Sequence, residues 1–272
     1  MKLLKCCSLV FLVVLFSCSK DDTIEEVVDQ EKVVVDGTKI DEAKFGDSGV
    51  VLTFDDDYVE NWKMADTILK EFHWKATFCV CKISQMNPEN VKTLQWFQKC
   101  GHEIAGHGAN HVNTLDYIAA NGFEKFYEDE IVSMMDKMKE NGLNVSSFAY
   151  PYGARNPLVD QKLFNTFKVL RGTTYGALNP VNQACYFENS KKVVFGLGID
   201  SHYPHFSLPY IINLIDYAEK NHKILILYSH RTVDVVTDNY QTKMENLVSI
   251  CKYVQKKHMK FYTLSDLSKI KA

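Results

Sequence analysis

Two groups of polar residues have the chemical types and the spacing of a metal site. Three consecutive carboxylates, Asp55–Asp57, directly follow the apolar run Val50–Phe54. Neighbouring carboxylates repel one another at the end of a buried element, and a bound cation is the simplest way to neutralise them. His107 and His111 lie four residues apart, a spacing that would bring both imidazoles to one face of a single helical turn.

Two imidazoles and one carboxylate would leave one coordination position open, which is typical of a catalytic rather than a structural metal centre. Each signal is weak by itself, because an HxxxH pair is often two unrelated surface histidines and three aspartates are often a solvated turn. Their joint placement after apolar runs favours a site for a divalent metal.

Short apolar runs alternate with longer amphipathic stretches from residue 49 onward. The runs predict strands at Val50–Phe54, Ala76–Cys81, Glu103–His107, Ser147–Tyr150, Val169–Arg171, Val193–Gly196, Ile224–Tyr228 and Lys260–Thr263. The stretches predict helices at Tyr58–Glu71, Val91–Lys99, Gly122–Asn141, Pro157–Phe167, Pro209–Asn221 and Lys243–Lys257. This alternation predicts an α/β fold, a closed or nearly closed (β/α)7–8 barrel in a single domain. An open doubly wound sheet is the competing fold.

Reactive side chains of a parallel barrel lie at the carboxyl ends of its strands and in the loops that follow. Four polar groups of this chain obey that rule, each directly after a predicted strand: Asp55–Asp57, His107–His111, Pro151–Gly153 and Ser229–His230. We therefore expect all four groups to meet at one mouth of the barrel.

Four short motifs in this order resemble those of a known enzyme family. They are TFDD at Thr53–Asp56, HGANH at His107–His111, FAYPYG at Phe148–Gly153 and LYSH at Leu227–His230. The sequence is similar to the polysaccharide deacetylase family, the NodB-homology domain of carbohydrate esterase family four, whose fold is a distorted (β/α) barrel. The resemblance implies a single deacetylase domain over residues 46–272.

The resemblance implies a role for each polar motif residue. Asp56, His107 and His111 would hold a divalent metal, usually zinc. Asp55 would be the general base that deprotonates the attacking water, and His230 would be the general acid that protonates the leaving group.

The PYG motif and a later aromatic segment would contact the substrate. The backbone N–H of Tyr152 would stabilise the oxyanion, as this motif does in the family. Aromatic faces suit the apolar faces of sugar rings, and the predicted substrate contacts are Pro151, Tyr152, Tyr203 and Phe206.

The chain departs from the family pattern at several positions. Ala149 stands where the family has an arginine that pairs with acidic groups and fixes the base, and Arg171 at the end of a predicted strand is a candidate replacement. Asp57 replaces a glycine and Gly108 replaces a serine or threonine. The Asp-Trp pair of the fourth motif has no clear counterpart, and Asp200 is a candidate match to its aspartate.

The predicted function is metal-dependent removal of acetyl groups from a polysaccharide or oligosaccharide, with N-deacetylation favoured over O-deacetylation. One alternative is a non-catalytic glycan-binding surface lipoprotein on the same fold. Another is a hydrolase of a different non-peptide C–N bond.

The N-terminus has the pattern of a bacterial lipoprotein signal. Lys2 and Lys5 precede the apolar run Leu9–Phe16, and Ser17 stands before Cys18. The pattern predicts a signal peptide over residues 1–17, acylation of Cys18 as a membrane anchor, and an acidic tether over residues 18–45. An ordinary signal peptide that is cleaved elsewhere is the alternative. We expect an exported lipoprotein of the outer membrane, on the cell surface rather than the periplasmic face.

The charge of the chain bears on nucleic-acid binding, and the spacing of its cysteines bears on metal binding. The chain has 31 Lys and Arg against 34 Asp and Glu, a formal net charge of -3, so it lacks the basic surplus typical of nucleic-acid binding. The domain is large enough to be stable as a monomer. Cys79 and Cys81 alternate along an apolar run, a pattern typical of buried free thiols rather than of a metal site.

Overall fold

Seven parallel strands close into a barrel in the computed structural model, which describes residues 48–188 and 191–270. In chain order the strands are β1 (Gly49–Asp56), β2 (Thr77–Val80), β3 (Glu103–Gly106), β4 (Ser147–Ala149), β5 (Val169–Thr174), β6 (Tyr186–Phe187), β7 (Val193–Gly198), β8 (Ile224–Ser229), β9 (Arg231–Val233), β10 (Gln241–Lys243) and β11 (Lys260–Tyr262). The wall runs β1-β2-β3-β4-β5-β7-β8, and β8 pairs with β1 to close it. The predicted (β/α)7–8 barrel is confirmed, with seven strands in the wall.

Strand β1 shows why the barrel is distorted. Residues Gly49–Phe54 pair with β8 along one edge of the strand. The other edge of β1 is shared between two partner strands. There β11 pairs with Gly49–Val51 and β2 pairs with Thr53–Asp56. The predicted strand at Lys260–Thr263 therefore fills the gap beside the amino half of β1 and is not an eighth member of the wall.

Helices connect the strands and cover the outside of the sheet. They are α1 (Val59–Leu69), α2 (Pro88–Lys99), α3 (Thr114–Asn121), α4 (Phe123–Phe126), a π-helical turn (Tyr127–Val132), α5 (Ser133–Glu140), α6 (Pro157–Leu163), α7 (Leu208–Lys220), α8 (Met244–Lys256) and α9 (Leu264–Leu267). Several begin with a polar cap followed by proline, as at Asn87 before α2 and Asn156 before α6. The predicted helix Gly122–Asn141 is a continuous helical run that contains the π-helical turn.

The two faces of the sheet bury different kinds of side chain. The outer face packs large residues against the helices, such as Phe78, which stacks on Phe97 with ring centroids 4.3 Å apart. The inner face of the barrel carries small residues on three successive strands, Cys79, Ala105 and Ala149. Because alternate residues of a strand point to opposite faces, this small-residue layer leaves room inside the barrel.

The five cysteines in the described residues are free. Cys79, Cys81, Cys185 and Cys251 are buried, and Cys100 is exposed. This confirms Cys79 and Cys81 as buried thiols. The described helices include none that is long and apolar enough to span a bilayer. The predicted signal peptide, Cys18 and the tether lie outside the described residues.

Candidate active site

The carboxyl ends of the barrel strands surround a cavity of about 360 Å³. Its lining includes all of the predicted metal ligands and both predicted proton-transfer residues: Asp55, Asp56, His107, His111 and His230. A larger cavity of about 750 Å³ near Phe261 contains none of them. We assign the candidate active site to the smaller cavity because it brings together the groups that can do chemistry.

Three of these side chains converge closely enough to share one ion. Oδ1 of Asp56 lies 3.1 Å from Nε2 of His111 and 3.7 Å from Nε2 of His107, and all three donor atoms lie within 4.8 Å of one another. Two atoms bound at about 2.0–2.2 Å to one tetrahedral ion lie roughly 3.4 Å apart. The residues therefore fit a divalent metal, and we call Asp56, His107 and His111 the ligand triad.

A hydrogen bond outside the triad orients His107. Nδ1 of His107 lies 2.8 Å from the carbonyl oxygen of Ala149, and a carbonyl can only accept, so Nδ1 carries the proton. Nε2 therefore has a free lone pair directed at Asp56 and His111. Burial lowers the pKa of His107 to about 4, even though Asp55 and Asp56 act in the opposite direction. The ring is neutral at neutral pH, as a metal ligand must be.

Three residues of the site have left-handed backbone conformations that residues other than glycine rarely adopt. The φ angles are 84° at Asp56, 60° at His111 and 58° at Tyr152. Such conformations cost about 1–3 kcal/mol each and concentrate at functional sites. The predicted helical turn over His107–His111 is wrong, because the left-handed φ of 85° at Gly108, together with that of His111, breaks any helical path.

Glu130 holds the loop that joins the two histidines. It lies in the π-helical turn with 1% of its surface exposed, and its carboxylate accepts hydrogen bonds from both the backbone and the side-chain nitrogens of Asn110, at 2.9 and 2.7 Å. A Cβ atom on Gly108 would lie 2.8 Å from Oε2 of Glu130. This contact explains why glycine replaces the larger residue of the family pattern. The sequence does not reveal the role of Glu130, since a glutamate on an amphipathic helix gives no signal of burial.

Arg171 forms a buried ion pair with Asp55. Nη2 of Arg171 donates to both carboxylate oxygens of Asp55, and the arginine side chain is completely buried. Arg171 on β5 pairs in register with Ala149 on β4, so the guanidinium comes from the strand next to the one expected from the family pattern. Burial raises the pKa of Asp55, but Arg171 and the nearby imidazoles outweigh it and hold this pKa below its ordinary value.

His230 lies on another wall of the cavity and is bound by Asp200. Nδ1 of His230 donates to Oδ2 of Asp200 at 2.6 Å, and Asp200 is completely buried. The other oxygen of Asp200 accepts from the backbone N–H of His230 at 3.2 Å and from the hydroxyl of Thr242 at 2.7 Å. Burial lowers the pKa of His230, but the hydrogen bond to Asp200 and the nearby carboxylates together have a larger opposite effect. The pKa of His230 therefore lies above its ordinary value.

The predicted substrate contacts divide into two groups. Tyr152 and Tyr203 line the cavity. Pro151 and Phe206 do not: Pro151 is buried, and Phe206 packs half-buried against the hydrophobic core. An aromatic residue in a loop does not reveal from its sequence whether it points to the core or to the cleft.

A sequence model of the polysaccharide deacetylase family matches residues 42–166. The match covers just under half of the chain. The matched region carries the ligand triad, Asp55 and Tyr152, whereas Arg171 and His230 lie beyond it. No curated protein matches the sequence.

Several solved structures have the same fold. The catalytic domain of a peptidoglycan N-acetylglucosamine deacetylase from Eubacterium rectale has a TM-score of 0.53 at 18% identity and covers 83% of this chain and 92% of its own. A family 4 acetyl xylan esterase from Clostridium thermocellum, solved with a cobalt ion, has a TM-score of 0.53 at 20% identity, covering 81% and 90%. A pseudoenzyme from Bacillus anthracis has a TM-score of 0.56 at 15% identity, covering 82% and 66%.

Removing Arg171 tests the ion pair. The variant Arg171→Ala leaves Asp55 buried without its cation, so we expect the free energy of unfolding to fall by about 3–5 kcal/mol. The double variant Ala149→Arg/Arg171→Ala returns a guanidinium to the neighbouring strand and should recover more than half of that loss. Urea unfolding followed by circular dichroism measures both.

The control for this exchange is Ala149→Arg alone, which would place two cations side by side and should be less stable than the double variant. The importance of the pair would be refuted by an Arg171→Ala protein as stable as the wild type.

The pKa of His230 provides a second test. Asp200 stabilises the protonated ring, so in Asp200→Asn the pKa of His230 should fall, because burial is then opposed only by the more distant carboxylates. The ring would lose its proton at lower pH than in the wild type. Histidine-selective NMR titration of the metal-free protein measures this shift, with buried His102, which is bonded to Asp66, as the internal reference. Equal titration of His230 in both proteins would contradict the assignment.

Proposed function

We propose that this protein is a metal-dependent hydrolase that removes acetyl groups from a polysaccharide or oligosaccharide, with N-acetyl groups favoured over O-acetyl groups. The observation that carries the proposal is the convergence of the ligand triad with a buried ionised carboxylate, Asp55, and an acid-capable imidazole, His230, in one cavity. The match of residues 42–166 to the polysaccharide deacetylase family supports the same reaction class.

The donor set of the ligand triad suits zinc, the ion we propose. Two neutral imidazoles and one carboxylate are the ligands of many catalytic zinc sites. A bound divalent ion would supply Lewis-acid chemistry, polarising the acetyl carbonyl and making water a stronger acid.

Residues on two different walls of the cavity would carry out the two proton transfers. Asp55, kept ionised by Arg171, would accept the proton of the attacking water at a carboxylate oxygen. The backbone N–H of Tyr152 would donate to the oxyanion that develops on the acetyl carbonyl.

On the other wall, His230 would release a proton from Nε2 to the leaving group while Nδ1 stays bound to Asp200. An amine leaves poorly without protonation. The raised pKa of His230 keeps more of the ring protonated at neutral pH, which supports N-deacetylation in particular.

The alternative is a glycan-binding protein without turnover. One fold relative is described as a pseudoenzyme, so the barrel alone does not carry activity. The presence of every acid, base and ligand side chain in one cavity favours the hydrolase.

The N-terminal sequence supports a proposal for the location of the protein. We propose an exported, monomeric lipoprotein that is anchored through acylated Cys18 and displayed on the outer-membrane surface. Palmitate labelling of the full chain that is lost in Cys18→Ala would support the anchor, and equal labelling would refute it.

The hydrolase proposal predicts acetate release that depends on both the metal and Asp55. We expect release from at least one of chito-oligosaccharides, peptidoglycan and acetylated xylan, loss of activity on chelation, and recovery when zinc is restored. Asp55→Asn removes the base and should lower kcat by about 10²-fold or more. Enzymatic acetate assay and metal analysis measure these effects.

The matched control is Asp57→Asn, the neighbouring carboxylate that lies outside the ligand triad and the cavity lining, which should keep most of the activity. Activity that survives both chelation and Asp55→Asn would overturn the mechanism. Binding of acetylated glycan without acetate release would favour the non-catalytic alternative.

A further inference from the structure

Three exposed tyrosines surround the mouth of the active-site cavity. The exposed fractions are 68% for Tyr152, 88% for Tyr175 and 51% for Tyr240, and all three line the cavity. They come from separate segments: the turn after β4, the loop after β5 and the residue before β10. We call these residues the tyrosine rim. Large aromatic side chains concentrated at one opening mark a recognition surface.

Contacts with His202 fix the position of Tyr240. Its φ angle of 55° is in the left-handed region, and its backbone N–H donates to Nδ1 of His202 at 3.1 Å. The two rings also pack at 4.6 Å. Burial lowers the pKa of His202, even though Asp200 acts in the opposite direction, and this favours the neutral ring that can accept the bond. His202 is therefore a positioning residue for Tyr240.

Two tyrosines of the rim lie beside residues of the proposed catalytic machinery, on two different walls of the cavity. The ring of Tyr152 lies 4.8 Å from the ring of His111, one of the ligand triad. The ring of Tyr240 lies 5.0 Å from the ring of His230. An acetylated sugar held between the ligand triad and His230 would thus have a tyrosine on each side.

The lining of the cavity also indicates the charge of the ligand. Among the described residues that line it there is no lysine or arginine, the side chains that recognise carboxylate, sulfate or phosphate groups. Arg171 lies beneath the site and is bonded to Asp55. Tyrosine instead offers an apolar face and a hydroxyl, which matches a sugar ring with C–H and O–H groups.

We propose that the tyrosine rim binds the sugar units that flank the acetylated unit of an uncharged glycan, so that an oligomer is preferred over a monosaccharide. This inference rests on the proposed function and adds the substrate class to it. The cavity would hold the reacting unit, and Tyr152, Tyr175 and Tyr240 would hold its neighbours.

The test compares the monosaccharide and the hexasaccharide of N-acetylglucosamine. We expect wild-type kcat/KM to be higher for the hexasaccharide, and the hexasaccharide-to-monosaccharide ratio to fall about three- to tenfold in Tyr240→Ala, mainly through KM. Tyr175→Ala should lower the ratio in the same direction, and Tyr240→Phe should preserve it. Trp96→Ala, which removes an exposed aromatic residue outside the cavity, is the matched control and should also preserve it.

His202 is tested in the same assay by a double-mutant cycle. His202→Ala should lower the ratio in the wild-type background and have no further effect on it in the Tyr240→Ala background. Additive effects would show that His202 does not act through Tyr240.

Binding to the chelated protein separates this inference from the proposed function. Calorimetry with the hexasaccharide should show weaker binding by Tyr240→Ala than by the wild type, whether or not acetate is ever released. If Tyr240→Ala binds the hexasaccharide more weakly but no acetate is released by the wild type, the proposed hydrolase is refuted and the role of the tyrosine rim in binding is supported. Acetate release with equal ratios and affinities in wild type, Tyr175→Ala and Tyr240→Ala would refute the rim. Tighter binding of carboxylate-bearing peptidoglycan fragments than of the hexasaccharide would refute the preference for an uncharged glycan.

Discussion

The buried ion pair between Asp55 and Arg171 is the constraint on which the rest of the active site depends. Two charges removed from water are stable only when they are close together and hydrogen-bonded. The arginine side chain has no exposed surface, and a Cβ atom on Gly196 would lie 3.3 Å from its Cδ. The small residues of the barrel interior, including Ala149, therefore serve to accommodate one guanidinium as well as to pack the strands.

The ion pair also determines what kind of base Asp55 would be in the proposed reaction. Arg171 keeps the carboxylate charged at neutral pH, but a carboxylate of low pKa is a weak base. Such a base is effective only toward water that has already been made more acidic. In the proposed hydrolase, Asp55 and the ligand triad would therefore act together, and the adjacency of Asp55 and Asp56 at the end of β1 would serve that purpose. The carboxylate of Asp55 is bound to Arg171, whereas that of Asp56, whose φ angle is 84°, lies beside the histidines.

The sequence allowed much of the fold and the site to be predicted, for reasons that differ between residues. The wall strands were predictable because strands buried on both faces read as short apolar runs. The position of Arg171 at a strand end was enough to suggest its partner. The shape of the His107–His111 loop was not predictable, because it depends on left-handed backbone angles and on Glu130, a partner distant in sequence. Phe206 was misplaced because core and cleft aromatics have the same local pattern.

The location of the arginine on β5 has a consequence for how this site differs from the family pattern. Ala149 and Arg171 are direct neighbours in the sheet, so a guanidinium from either strand reaches the same interior space. Two would place like charges side by side in a layer that has room for one, and none would leave Asp55 buried and unpaired. The residue types at positions 149 and 171 are therefore coupled by charge and by volume. The absence of the family arginine at position 149 is a change of supporting strand, and Asp55 retains a paired cation.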